Sequence, residues 1–266
     1  MYSGFYWTSH SSQWFGVHQK LNRIAYRMLE QAVLELDFPE LKQIQKFEGT
    51  NGPDGIKLKS PSQNEPWHYY DPFDDEDNKI LELLNGNFDS LKAALKKKNQ
   101  ERAAFEASWL AHGLTDGLTP AHQFPYEHEI ERITGKHHLE RKTRKQKVIA
   151  AGKNKRETVS KNWELWGTKG LFITHQGFEM GVAAIILPMR NRKFSLTKAQ
   201  IVEAEELGME KLFQKSALRI AKFHMYERFY KSGWTLGLGQ DVKQVLLPEI
   251  AKSVALSWYL AHKQTK

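Results

Sequence analysis

The chain has 266 residues, 40% hydrophobic and 12% aromatic, enough to bury one substantial core. It contains no cysteine, which excludes disulfides and thiolate metal sites and leaves His, Asp, Glu and backbone groups as candidate ligands. A formal charge of +8 and a pI of about 9.4 favour an anionic partner: nucleic acid, a phosphorylated substrate or an acidic membrane surface.

The opening stretch, "MYSGFYWTSHSSQWFG", lacks the basic and apolar regions and the cleavage pattern of a signal peptide. The expected location is therefore cytoplasmic as written, or secreted if the N-terminus is trimmed. No apolar run is long enough to span a bilayer. From Trp14 to Leu36, residues Phe15, Leu21, Ile24, Ala25, Met28, Leu29 and Val33 recur at helical intervals, with Pro39 just beyond, and predict a helix. Residues 47–78 cluster Gly, Pro, Asn and Asp without either period and read as a long loop, ordered by Trp67, Tyr69, Tyr70 and Phe73.

Helical patterns resume over 79–86 and again from Asp89, a candidate N-cap, to about Gly117. Residues 136–161 carry ten Lys or Arg against two Glu and read as a mobile or weakly ordered basic insertion. Further helices are expected over Val159–Leu187, Thr197–Lys231 and Asp241–His262, the last kinked or briefly broken near Pro248. No βαβ alternation, strand-period run or internal repeat interrupts them, so the expected class is all-α, a single domain over 1–266.

Chemistry concentrates in "SWLAHGLTDGLTPAH", Ser108–His122. His112 and Asp116, four apart, share a helix face with Phe105, Ser108 and Trp109 and so point inward. Gly117 and Pro120 end that helix and allow His122 to turn back towards the same place. "LFITHQGFEMG" repeats the device with His175 and Glu179 on the face of Leu171, Phe178 and Val182. A buried carboxylate is costly unless compensated, and a divalent cation compensates it. His18 lies on the face of Leu21 and Ala25; taken alone, it reads as a hydrogen-bonded core residue.

These residues resemble the zinc-dependent phospholipases C and the related single-strand-specific nucleases, whose signature is H-x3-D-x5-H followed by H-x3-E. Here His112, Asp116 and His122 stand at those spacings, as do His175 and Glu179. Asp54 precedes His68 by fourteen residues, and His68 opens "HYYDP", similar to the family's upstream motif. The resemblance covers roughly residues 10–185 and implies a helical bundle with a long ligand-bearing loop, holding two to three zinc ions. It implies that Asp54, His68, His112 and Asp116 hold one zinc, and that His122, His175 and Glu179 hold a second. Asp116 would bridge to a third zinc shared with His18, and Asp54 would also serve as the catalytic base for the attacking water.

Two features depart from the family pattern. Secreted members use a mature N-terminal Trp at the third zinc, whereas this chain starts at Met1 and offers Trp7, His10 or Trp14 as substitutes. "QFPYEHE", after His122, lacks the usual Asn-containing ending.

The implied activity is zinc-dependent phosphoric diester hydrolysis, of the phospholipase C type or of the single-strand nuclease type. The rival of another class is a non-catalytic, zinc-stabilised helical protein that binds an anionic partner. Expected partners are an anionic phosphodiester substrate, phospholipid or nucleic acid, with peripheral contact to acidic membrane through the basic insertion and no obligate protein partner. The aromatic residues around His68 either line the cleft or pack to hold it. Glu127, His128 and Glu129 read as surface helix, His137 and His138 as exposed, and His224 and His262 as packing or solvent residues. "GWTLGLGQD" opens no βαβ unit and carries no phosphate-cradling expectation.

Overall fold

The computed structural model describes residues 16–33, 37–59, 66–189 and 194–265, and among these there are helices and loops but no strand. The class is all-α. None of the helices is long and apolar enough to cross a membrane.

Helix α1, Val17–Ala32, buries Val17, Leu21, Ile24, Ala25, Met28 and Leu29 on one face. The expected boundaries at Trp14 and Leu36 lie outside the described residues, as do Trp7 and His10. Short helix α2 (Leu41–Gln45) follows, and the segment expected as a loop over 47–78 is partly helical, with a 3-10 turn at Gly49–Asn51 and α3 at Pro53–Lys59. Its sequence hides this because these elements are too short to show a period.

Helix α4, Lys79–Lys96, runs straight through Asp89, the expected N-cap. Phe88, Leu91 and Leu95 continue the buried stripe begun by Leu81 and Leu84. The break comes later, where Lys98 adopts φ 53° and Asn99 caps α5, Gln100–Gly117, by accepting a hydrogen bond from the Arg102 amide at 3.1 Å.

Helix α6, Tyr126–Thr134, ends at a left-handed Gly135. The basic insertion is ordered rather than loose. It forms α7 (Arg144–Val148) and the first part of α8 (Lys155–Trp166). The Asn162 side chain donates to the Ala150 carbonyl at 2.7 Å and the Trp166 indole donates to that of Val148 at 2.6 Å. Buried Arg141 pairs with Glu127, which places that glutamate in a structural contact.

The single helix expected over Val159–Leu187 is two, α8 and α9 (Leu171–Ile186), separated at Gly167–Gly170. That expected over Thr197–Lys231 is also two. Helix α10, Lys198–Ala221, is kinked at Gly208 (φ 74°), and His224 at φ 48° turns the chain into α11, Met225–Ser232. Helix α12, Leu236–Asp241, occupies much of the glycine-spaced stretch. A π-helical segment, Val242–Leu246, then leads into α13, Leu247–Lys263. The irregularity expected at Pro248 therefore lies just before the proline, where the widened turn adjusts the helix to a residue with no amide hydrogen.

Helix α13 is the centre of the bundle, packed against α1, α4, α5 and α10. It is buried around most of its circumference, with Glu249, Ser253, Ser257 and His262 among the buried residues. Trp258 is fully buried against Phe38 and Tyr26 and donates its indole N–H to the Ala107 carbonyl at 3.0 Å. Truncating such a side chain to Ala costs about 3–5 kcal/mol. Helix α5 presents Ala103, Ala104, Ala107, Ser108 and Ala111 to its neighbours, small residues that let it sit deep in the core with His112 and Asp116 at its far end.

Candidate metal centre

Helix periodicity places most of the polar cluster. His112 and Asp116 are one turn apart on α5 and almost fully buried. The helix ends at Gly117, and the 3-10 turn Pro120–His122 brings His122 back to Asp116. That return is held by Thr119, whose hydroxyl donates to the Thr115 carbonyl at 2.7 Å, and by the Tyr70 amide, which donates to the His122 carbonyl at 3.0 Å. Helix α9 supplies His175 and Glu179, and α1 supplies His18.

Asp54 comes from the first turn of α3 rather than from an irregular loop. The preceding turn is tight: a Cβ on Gly55 would sit 2.1 Å from the Thr50 carbonyl oxygen, so only glycine fits next to Asp54.

His18, Asp54, His112 and His122 gather around the Asp116 carboxylate. Its Oδ1 lies 3.3 Å from His18 Nε2 and 3.7 Å from His122 Nδ1; its Oδ2 lies 3.3 Å from His112 Nε2. Asp54 Oδ1 is 3.8 Å from the same His112 nitrogen. Asp54, His112 and Asp116, three of the four side chains expected at the first zinc, form one group that could hold a metal ion, and His122, His175 and Glu179 form another. In the second, His122 Nε2, His175 Nε2 and Glu179 Oε1 form a triangle with sides of 3.3, 3.2 and 3.1 Å.

His68 belongs to neither triad. Its ring stands edge-on to His122, with centroids 5.1 Å apart, and it shares a small cavity with Pro53, Trp67, His112 and Asp116. Its Nδ1 is 3.0 Å from the Pro66 carbonyl, so Nδ1 carries the hydrogen and Nε2 carries the lone pair in the neutral ring.

The electrostatics follow from burial and proximity. Burial pulls the His112 pKa down, but Asp116 and Asp54 outweigh it and raise the pKa to about 10 in the metal-free chain. Burial lowers His122 to about 4 despite Asp116, and it also lowers His18, beside the His112 ring. Burial raises the carboxyls of Asp116 and Glu179, yet positive charge around them, to which the neighbouring imidazoles contribute, holds both well below their ordinary values. These carboxylates are therefore anionic at neutral pH.

The donor set fits a divalent ion. Imidazole nitrogens and carboxylate oxygens bonded at about 2.0–2.2 Å to a tetrahedral ion stand about 3.3 Å from one another, close to the sides of the His122–His175–Glu179 triangle. His122 and His175 turn nitrogens towards each other at 3.3 Å, an arrangement that a shared cation rationalises. These buried His, Asp and Glu groups could hold a metal ion. Asp54, His175 and Glu179 retain 13–15% side-chain exposure, whereas His18, His112, Asp116 and His122 have at most 4%.

Aromatic side chains wall the site. Tyr69 lies against His68 and His122, and Tyr126 lies 4.6 Å from His175 between ring centroids. Tyr70 packs on Phe213, Trp67 packs on Tyr69 and His138, and Phe73 points outward at 66% exposure. His262 is buried in α13, and His224 occupies the left-handed turn before α11.

Sequence reasoning missed Glu48. This buried carboxylate accepts from Asn22 Nδ2 at 3.0 Å, lies 3.2 Å from His112 Nδ1, and forms a third candidate group with His18 and His112. Its only sequence trace is indirect: Asn22 stands one helical turn after His18, a second polar residue on the buried face of α1.

A scan against protein-family models, a search of curated proteins and a search of solved structures each return no match to this chain.

Proposed function

We propose that this chain is a zinc-dependent phosphoric diester hydrolase with a helical bundle similar to that of the zinc-dependent phospholipases C. The observation that carries this reading is the convergence of Asp54–His112–Asp116 and His122–His175–Glu179 on opposite sides of one carboxylate, Asp116. Five helical or turn segments spread over the chain from α1 to α9 each contribute at least one polar group to this cluster. A fold gains little stability from assembling so many buried ionisable groups unless they bind something.

Asp54, His112 and Asp116 would hold one ion, His122, His175 and Glu179 another, and His18 with Asp116 a third; His68 would complete the first set through Nε2. When bound, divalent zinc supplies Lewis acidity towards a phosphoryl oxygen and lowers the pKa of water. The chain's own residues do the rest. Partly accessible Asp54 accepts a proton from the attacking water. His175 and Glu179 are likewise partly exposed, and the buried Asp116 would tie the two groups together.

A single-strand nuclease is the second reading. It is favoured by the exposed Lys and Arg of the basic insertion, because α8 packs on α9, the helix of His175 and Glu179. The deciding experiment incubates the zinc-loaded protein with phosphatidylcholine, single-stranded nucleic acid and simple phosphodiesters. Turnover of at least one, abolished by Asp54→Asn, supports the hydrolase. A folded, zinc-loaded protein that turns over none of them is the zinc-stabilised binding protein instead.

A further inference from the structure

Helix α8 is apolar on two opposite sides. Leu165 faces inward and is fully buried with Ile133 and Ala150, which accounts for the attachment of the helix to α6 and α9. Val159, Trp163 and Trp166 stand four and three residues apart on the other side and are 69%, 67% and 41% exposed. The Trp166 bond to the Val148 carbonyl brings the end of α7 alongside, adding Val148 and Ile149 at 38% and 46% exposure. Among the described residues, none covers this second face.

Basic residues flank it in register. Lys155 and Arg156 precede Val159 by one turn of α8, and Lys145 precedes Val148 and Ile149 by one turn of α7; all three are exposed. Exposed tryptophan and branched aliphatic side chains bordered at one end by Lys and Arg match a bilayer interface, where the apolar groups enter the acyl boundary and the cations meet anionic headgroups. A single-stranded nucleic acid would use the two tryptophans for stacking but would leave Val148, Ile149 and Val159 with nothing to stack on.

We infer that the face formed by Val148, Ile149, Val159, Trp163 and Trp166 docks the protein on an anionic phospholipid surface. A series of ring contacts links this face to the polar cluster: Trp166 to Phe172 at 4.8 Å, Phe172 to Tyr126 at 6.0 Å and Tyr126 to His175 at 4.6 Å. Docking would thus hold the candidate metal centre within a few side chains of the bilayer. The inference does not depend on hydrolysis.

The test is co-sedimentation of the full chain with vesicles of phosphatidylcholine alone and of phosphatidylcholine with phosphatidylserine, compared with Val159→Ser/Trp163→Ser and Lys155→Gln/Arg156→Gln. Binding should require the anionic lipid, weaken with salt, and fall about tenfold in each double variant with thermal unfolding unchanged. Equal binding by the folded variants, or no binding to anionic vesicles, overturns the inference. So does retention of a single-stranded oligonucleotide that needs the same residues while vesicles are ignored. A chain that binds vesicles but hydrolyses nothing contradicts the hydrolase reading alone.

Discussion

The Glu48 carboxylate lies 3.2 Å from Nδ1 of His112, while Nε2 of the same ring faces Asp116 and Asp54. One ring nitrogen is thus spoken for, and the other is aimed at the centre of the cluster. Asn22 fixes the far oxygen of Glu48 from α1, so a three-residue series fixes the tautomer of a proposed ligand.

Glu48→Ala should therefore weaken zinc binding about 10–100-fold in a chelator-competition titration. Glu48→Gln, which keeps a carbonyl acceptor for the Nδ1 hydrogen, should recover part of that loss. Equal affinities for wild type and a folded Glu48→Ala would remove Glu48 from any orienting role.

Packing at the end of α5 gives a second expectation. A Cβ on Gly117 would come within 2.6 Å of Ile80 Cδ1 and 2.7 Å of Phe213 Cζ, next to Asp116 in sequence. Gly117→Ala should destabilise the fold by about 1–3 kcal/mol in urea unfolding and also lower zinc affinity, because the helix end must shift. A neutral effect on both would mean that the neighbouring side chains yield freely.

The metal-free chain should have a stability optimum set by two histidines. Burial opposes but does not prevent the rise of the His112 pKa from 6.5 to about 10 by Asp116 and Asp54, so its contribution is complete below pH 6.5 and fades as pH climbs towards 10. Burial lowers His122 to about 4; the unfolded chain therefore takes up that proton first, and stability falls as pH drops from 6.5 towards 4. Urea midpoints after chelation should peak near pH 6.5. With zinc the optimum should move upward, since zinc displaces the His112 proton. A metal-free midpoint that rises steadily to pH 10 would contradict the assigned partners of His112.

How much of this was legible in the sequence depended on periodicity. The pairs His112–Asp116 and His175–Glu179 were readable because a helix puts residues four apart on one face, and their inward direction followed from Trp109, Phe178 and similar neighbours. Helix joins were harder. The break between α4 and α5 falls within Lys97–Asn99, after a lysine run with high helix propensity, and only the left-handed Lys98 and the Asn99 cap mark it. Glu48 carried no pattern because its placement depends on tertiary contacts with Asn22 and His112. The basic insertion looked unstructured by charge, yet Arg141 with Glu127 and Asn162 with Ala150 tie it down by pairings invisible to composition.

The central claim is that the polar cluster binds metal through two ligand groups. Zinc content should be measured by elemental analysis on the purified full chain after saturation and desalting, alongside His122→Ala and His112→Ala. About two to three zinc ions are expected per wild-type chain, with a loss of at least one in each variant while circular dichroism stays helical. A folded wild-type chain that retains no zinc would contradict it.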